Sequence, residues 1–392
     1  MTSLPTGVDL AALVAFRRQI HAAPELSGQE GHTADQVAGF LASTGPGPIW
    51  RDIGGHGLAL VYEGAQPGPT TLLRAELDAI PVAEESTAPW RSRRPGISHT
   101  CGHDGHLAIL AGVAQSLAAI PPVRGQVILF FQPAEETGQG AAAAIQDSRL
   151  ANLQPDRVFA LHNLPGYPVG QILVRDGAFC AGSAGLTINL KGATSHAAYP
   201  EQGRSPDQAL AALVTGLVTL PIPLEQKGQL AQVTVGHARL GEPAFGITPG
   251  QAVVMATLRA DDDQVLLELK TSAEQLARKV AAEHDLQERC TWSEEFPVTF
   301  NNTFAVAEIS AVARSLDLDC EAPDESPFRW SEDFGNLLSL GDGAMFGLGS
   351  GSHHAPLHAA DFDFNEDLIP IGVAMFRGLL DLHHASSKSS PT

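Results

Sequence analysis

Basic residues are scarce in this chain: 24 lysines and arginines stand against 44 aspartates and glutamates in 392 residues, a net charge of −20 at pH 7. A surface this acidic repels phosphate backbones and anionic lipid heads, so neither nucleic acid nor membrane is an expected partner. Charged residues of both signs make up only 17% of the chain and hydrophobic ones 44%. That excludes extensive disorder and provides for a large core, in more than one domain at this length. Cysteine is rare as well. Cys101, Cys180, Cys290 and Cys320 are scattered, and a chain of this size needs no disulfide staples, so reduced thiols and a cytoplasmic location are expected. The N-terminal segment has no basic leader or cleavage site and reads as an amphipathic helix from about Val8. No apolar run approaches the roughly 18 residues that span a bilayer. Internal repeats are lacking, and the polar tail 386–392 is expected to fray.

What is present is ordered alternation. Short apolar runs at 58–62, 71–77, 127–131 and 158–161 are bounded by Gly or Pro, as buried strands are. Between them, 106–119 reads as a buried helix with Asp104 as its expected N-cap and Pro121-Pro122 as its stop. This is an α/β pattern with helices on both faces of a sheet. From about residue 183 the order becomes βαββα: strands at 185–190, 230–240 and 251–259, helices at 207–220 and 262–284, with a closing strand near 289–294. That order predicts a small α+β domain of ferredoxin-like type. The α/β pattern returns after about Phe300. The chain therefore reads as a catalytic domain (1–182 and 298–392) interrupted by an inserted domain (183–297).

The chemistry concentrates in Cys101-Gly102-His103-Asp104-Gly105-His106, a thiol, two imidazoles and a carboxylate spaced by glycines. Cys and His are ligands that first-row transition metals choose. Glu135-Glu136 follows one predicted strand and His162 ends another. Both lie past carboxyl ends, where open α/β sheets build their sites. Two carboxylates can divide the work, one holding a metal and one taking a proton from activated water, if they project oppositely from an extended segment. Taken singly, His162 reads as structural and the Glu pair as a solvated edge; spacing alone leaves a metal site and a merely polar cluster both open.

The stretches RRQIHAAPELSGQE, LLRAELDAIPVAEE, SHTCGHDGH, FFQPAEETGQGA, FALHNLP, GATSHAAYP, SEDF and LHAADFDFNEDL run nearly end to end through the chain. In these stretches and their order it resembles the amidohydrolase branch of the aminoacylase/carboxypeptidase superfamily of two-metal peptidases. That branch includes hippurate hydrolases, indole-acetyl-amino-acid hydrolases and N-acetyl-diaminopimelate deacetylases. The resemblance implies a zinc-peptidase-like catalytic domain, a central mixed sheet flanked by helices, with the insertion serving as lid and dimerisation domain.

It also implies roles. Cys101, His103, Glu136, His162 and His358 would hold two divalent metal ions, zinc or manganese, with cobalt or nickel as alternatives. Glu135 would be the general base, and the lid residue His196 would stabilise the oxyanion. Arg259 would receive a substrate carboxylate, with a surface ion pair as the alternative. Asp78 and Asp104 would support the ligands from behind, Asp104 also being the expected cap. The implied substrate is an N-acyl amino acid and the implied assembly a homodimer or larger homo-oligomer. Dipeptidase or carboxypeptidase activity on short peptides and a silent metabolite-binding homologue are the alternatives. Three departures stand out: Glu76 where relatives usually carry Asp, Ser98 and Thr100 where Met and Ala are usual, and Gly246 in place of a substrate-contacting Asn.

Overall fold

In the computed structural model, residues 4–42, 44, 49–226, 228–325 and 327–385 are described. The polar tail from residue 386 lies outside them. The chain divides into two compact units: Met1–Phe179 with Thr299–Ser326 and Asp333–Thr392, and Cys180–Val298 with Pro327–Glu332.

The first unit is built on an eight-stranded mixed sheet. In spatial order its strands are Trp50–Ile53, Gly57–Glu63, Arg124–Gln132, Gln66–Glu76, Arg157–Pro165, Asp342–Gly351, Ile172–Leu173 and Cys320–Glu321. The four middle strands run parallel, with Glu76 opposite Gln132 and His162 opposite Gly347. Parallel strands need helical crossovers that cover them, so their apolar runs are continuous rather than alternating. Val127, Ile128, Leu129, Phe130 and Phe131 are all fully buried. Helices Leu10–His21, His103–Ala119, Thr303–Ser315 and Leu368–His384 contribute to the same core. All four middle strands end at one edge; the segments leaving three of them carry Asp78, Glu135-Glu136 and His358, while His162, expected just past its strand, lies inside Arg157–Pro165, which runs on to Pro165.

The second unit is a four-stranded antiparallel sheet, ordered Ala231–Leu240, Gln251–Ala260, Gly182–Lys191, Gln287–Phe296. Helices Asp207–Thr219 and Asp263–Glu283 pack on it through Ala209, Leu213, Leu217, Leu269, Ala273 and Ala277. The longer helix starts where Asp262 caps it, accepting from the N–H groups of Gln264 (2.7 Å) and Val265 (3.2 Å). One expectation needs correcting here. The stretch Asp207–Glu225, 19 residues with a mean hydropathy of 1.4, is long and apolar enough to cross a membrane by length and composition. In the fold it spends one face on the sheet of this unit, burying Ala209, Leu213, Leu217 and Leu224.

Candidate metal centre

Helix His103–Ala119 begins earlier than the sequence pattern implied. Its N-cap is Gly102, whose φ of +95° is glycine territory. A Cβ there would also stand 2.3 Å from Asn163 Oδ1. Gly105 turns out to serve packing rather than turning: it lies inside the helix, and a Cβ would strike the Phe364 ring at 2.3 Å. Asp104 is not the cap. It sits in the first turn, fully buried, and its carboxylate faces His21 Nδ1 (2.9 Å) and Arg17 Nη1 (3.4 Å). Burial alone would raise its pKa, but Arg17 and His21 outweigh that and hold it below the usual carboxylate range. Asp104 thus ties the His103 end of this helix to the first helix of the chain.

The side chains implied as ligands do converge. Cys101 Sγ lies 3.5 Å from His162 Nε2. His103 Nε2 lies 3.8 Å from Glu136 Oε1 and 3.9 Å from Glu135 Oε2, and His358 Nε2 lies 3.8 Å from Glu136 Oε1. Three overlapping groups, Cys101-His103-His162, Cys101-Glu136-His358 and His103-Glu135-Glu136, each bring their ligand atoms within 4.8 Å of one another. The two glutamates were expected to diverge from an extended segment. They occupy a turn instead, so both carboxylates face the same imidazole. Ala134, just before them, is in the left-handed region at φ +48°, as is His358 at φ +65°. Non-glycine residues held there are strained, and such strain gathers at functional sites.

The donor set fits divalent cations. His103 Nδ1 donates to the Asp78 carbonyl and His162 Nδ1 to the Asn163 carbonyl, both at 2.9 Å. Each bond fixes the tautomer and leaves the Nε2 lone pair aimed into the cluster, as metal-bound histidines are commonly arranged. In the field of the protein alone, burial together with Glu136 and Glu135 pushes the Cys101 thiol well up. A thiolate here therefore needs a cation beside it. Asp78 supports two of these groups at once, because its Oδ2 also accepts the Glu136 N–H (2.9 Å).

His106 is the second imidazole of the opening motif, and its nitrogens are engaged elsewhere. Nδ1 is 2.7 Å from Glu76 Oε2 and Nε2 is 2.6 Å from Asn163 Oδ1. Glu76 also pairs with Arg74. Burial would raise the Glu76 pKa, but Arg74, His106 and His103 hold it well below the usual value. Arg74, Gln132, Asn163, Glu30 and Asp333 were missed as site residues. Glu30 and Asp333 lie within the stretches RRQIHAAPELSGQE and SEDF, but nothing in either stretch singles them out.

The remaining sequence candidates belong to the second unit. His196 pairs with Ile247 in a two-stranded ribbon, and the Ala197 N–H donates to the Gly246 carbonyl (3.1 Å). The ribbon thus joins His196 and Gly246. The Ala198 N–H donates to His196 Nδ1 (3.0 Å), so the ring proton sits on Nε2. Gly246 has no positive φ, and a Cβ would meet nothing within 4 Å; its backbone does not demand glycine. Arg259 Nη1 donates to Ser331 Oγ (2.8 Å) and to the Arg329 carbonyl (3.0 Å), not to the nearby aspartates.

Residues 72–382 match the model of peptidase family M20/M25/M40. The chain belongs to this family. The hippurate hydrolase of Campylobacter jejuni is 31% identical over 372 residues, 94% of this chain and 96% of the relative. An N-acetyldiaminopimelate deacetylase of Lactobacillus helveticus is 29% identical over 375 residues, again 94% of this chain and 96% of the relative. Among solved structures, the Bacillus subtilis YXEP protein, described as a dinuclear metal-binding peptidase of the M20 family, superposes with a TM-score of 0.78. It is 25% identical, over 95% of this chain and 98% of that one. As a member of this family, the chain is a hydrolase acting on amide bonds.

Proposed function

We propose that this enzyme hydrolyses the amide bond of N-acyl amino acids, with an acetyl, benzoyl or similar acyl group. The observation that carries the reading is the gathering of Cys101, His103, Glu135, Glu136, His162 and His358 at the carboxyl edge of the parallel strands of one mixed sheet. Cys101, His103, Glu136, His162 and His358 would hold two divalent ions, with zinc or manganese suited to this donor set and cobalt or nickel as alternatives. Bound there, such ions polarise a carbonyl and lower the pKa of water.

The protein's own groups do the rest. Glu135 accepts the proton of the attacking water and returns it to the leaving nitrogen. His196, its proton held on Nε2, donates to the developing oxyanion. Arg259, with Nη1 anchored on Ser331, offers its remaining N–H groups to the substrate carboxylate. The open space at Gly246 leaves room for a bulkier or unusual substrate group. The four free cysteines suit a reducing cytoplasm. A homodimer through the second unit fits the exposed apolar side chains Phe245, Ile247 and Met255 in that unit.

Glu135→Ala should retain both metals by elemental analysis and lose about 10²–10⁴-fold in kcat. Turnover near the native rate would sink the assignment. A panel of N-acetyl amino acids, N-benzoyl amino acids and dipeptides, run with several divalent metals, separates the acylase reading from a dipeptidase. A metal-replete protein silent across the whole panel would instead be a binding homologue.

A further inference from the structure

The turn that carries the two glutamates is held by acids from far away in the chain. It is compact: the Gly138 N–H donates to the Glu135 carbonyl (2.8 Å) and the Gly140 N–H to the Ala134 carbonyl (3.0 Å). A Cβ at Gly140 would come within 1.6 Å of the Pro133 carbonyl oxygen. Glu30, fully buried, accepts the Ala134 N–H at 2.7 Å and the Gly28 N–H at 2.8 Å through Oε1. This bond is made to the left-handed residue immediately before Glu135. Asp333, also fully buried, accepts Gln132 Nε2 (2.7 Å) through Oδ1 and the Ala141 N–H (2.9 Å) through Oδ2. Its carboxylate therefore spans both flanks of the turn. Its own N–H donates to Glu135 Oε1 at 3.3 Å, and Arg74 Nη2 donates to its Oδ1 at 2.9 Å.

We propose that Glu30 and Asp333 are positioning residues for Glu135, their buried carboxylates fixing the turn from either side so that the base faces the water it deprotonates. This rests on the reading of Glu135 as general base. Buried N–H groups left without these acceptors would each cost the penalty of an unpaired donor. More to the point, a catalytic group displaced by about 1 Å can lose about 10²-fold in rate. Neither residue is proposed to touch substrate or metal.

The test uses the full chain at saturating metal, with the best substrate of the acyl-amino-acid panel. Asn at position 333 cannot accept from Gln132, Arg74 and Ala141 together, because one of its two polar atoms is a donor. Asp333→Asn should therefore lower kcat about 10–100-fold, the range seen when groups behind an active-site ligand are removed, with KM changed less than about threefold. Glu30→Ala should behave alike, whereas Glu30→Gln, which keeps an acceptor oxygen, should stay within about threefold of the native kcat. In a Glu135→Asp background, where the base is already displaced, Asp333→Asn should cost much less than it does alone.

Native kcat in folded Asp333→Asn and Glu30→Ala would overturn the inference, as would a loss seen wholly in KM or matched by lost metal. An undiminished effect in the Glu135→Asp background would do the same. Should Asp333→Asn fail to fold, the Glu30 pair carries the test. Normal turnover in Glu135→Ala overturns both the base assignment and this inference; a dead Glu135→Ala beside fully active Asp333→Asn and Glu30→Ala overturns this inference alone.

Discussion

Gly102 shows how one residue can serve a fold and a site together. It begins the helix that presents His103, and it leaves room for Asn163, whose side chain packs against His106. An alanine there meets both a disfavoured backbone region and an overlap at 2.3 Å. Gly102→Ala should cost about 2–4 kcal/mol of stability. Urea unfolding of the metal-free protein measures this, and an unchanged midpoint would refute it. At this scale the sequence and its family resemblance told which side chains gather where chemistry and motif coincide, as at Cys101, His103 and His358, whose donor atoms lie in overlapping groups. It was not legible where a residue acts on backbone. Glu30 and Asp333 look like ordinary acids in a chain with 44 of them, and only the fold reveals whose N–H groups they take.

At the scale of elements, the first helix and helix His103–Ala119 are joined by charge. His21, fully buried, meets Asp104 through Nδ1 and Glu84 through Nε2 (3.2 Å), with Arg17 and His99 also beside it. Burial pushes its pKa down, yet the charge and hydrogen bond of Asp104 and the bond to Glu84 overcome this and hold it at about 9. The folded value lies above the ordinary 6.5. The stabilisation is therefore complete below about pH 6.5 and is lost as pH rises through about 9. It amounts to about 3 kcal/mol at most, from roughly 1.4 kcal/mol per pKa unit. Denaturant midpoints of chelator-treated protein should fall across that window, and His21→Gln should flatten the fall. The strands and the inserted βαββα order could be read from period and composition. Asp104 was misread as a cap because a cap is judged locally, and its real partner His21 is 83 residues away. The glutamate pair was misread as extended because nothing local announces a left-handed Ala134.

For the molecule as a whole, the sequence pattern was enough for the fold class, since helix-covered parallel strands and an antiparallel insertion leave different hydrophobic periods. Assembly was less legible, because an exposed apolar residue means little until its neighbours in space are known. On the second unit Ile247 and Met255 are about half exposed and Phe245 wholly so. If copies pair through this unit, light scattering should give twice 41.2 kDa, and Phe245→Lys with Met255→Lys should return the monomer mass. A native protein that is monomeric at assay concentration would count against the dimer.

The order of strands in the large sheet has a consequence for synthesis. Cys101, His103, Glu136 and His162 emerge from the ribosome well before His358, and Asp342–Gly351, the strand that pairs with the one bearing His162, emerges only after the inserted unit. Asp333, which grips the turn of Glu135, also arrives late. A nascent chain thus holds most of the proposed metal ligands for a long interval without the partners that arrange them. Closing contacts across so many residues is slow, and the unpaired edge of the half-built sheet stays open to other chains meanwhile. Free metal in the cell would meet a loose, incomplete set of ligands first, and the finished centre only once the last third of the chain had come home.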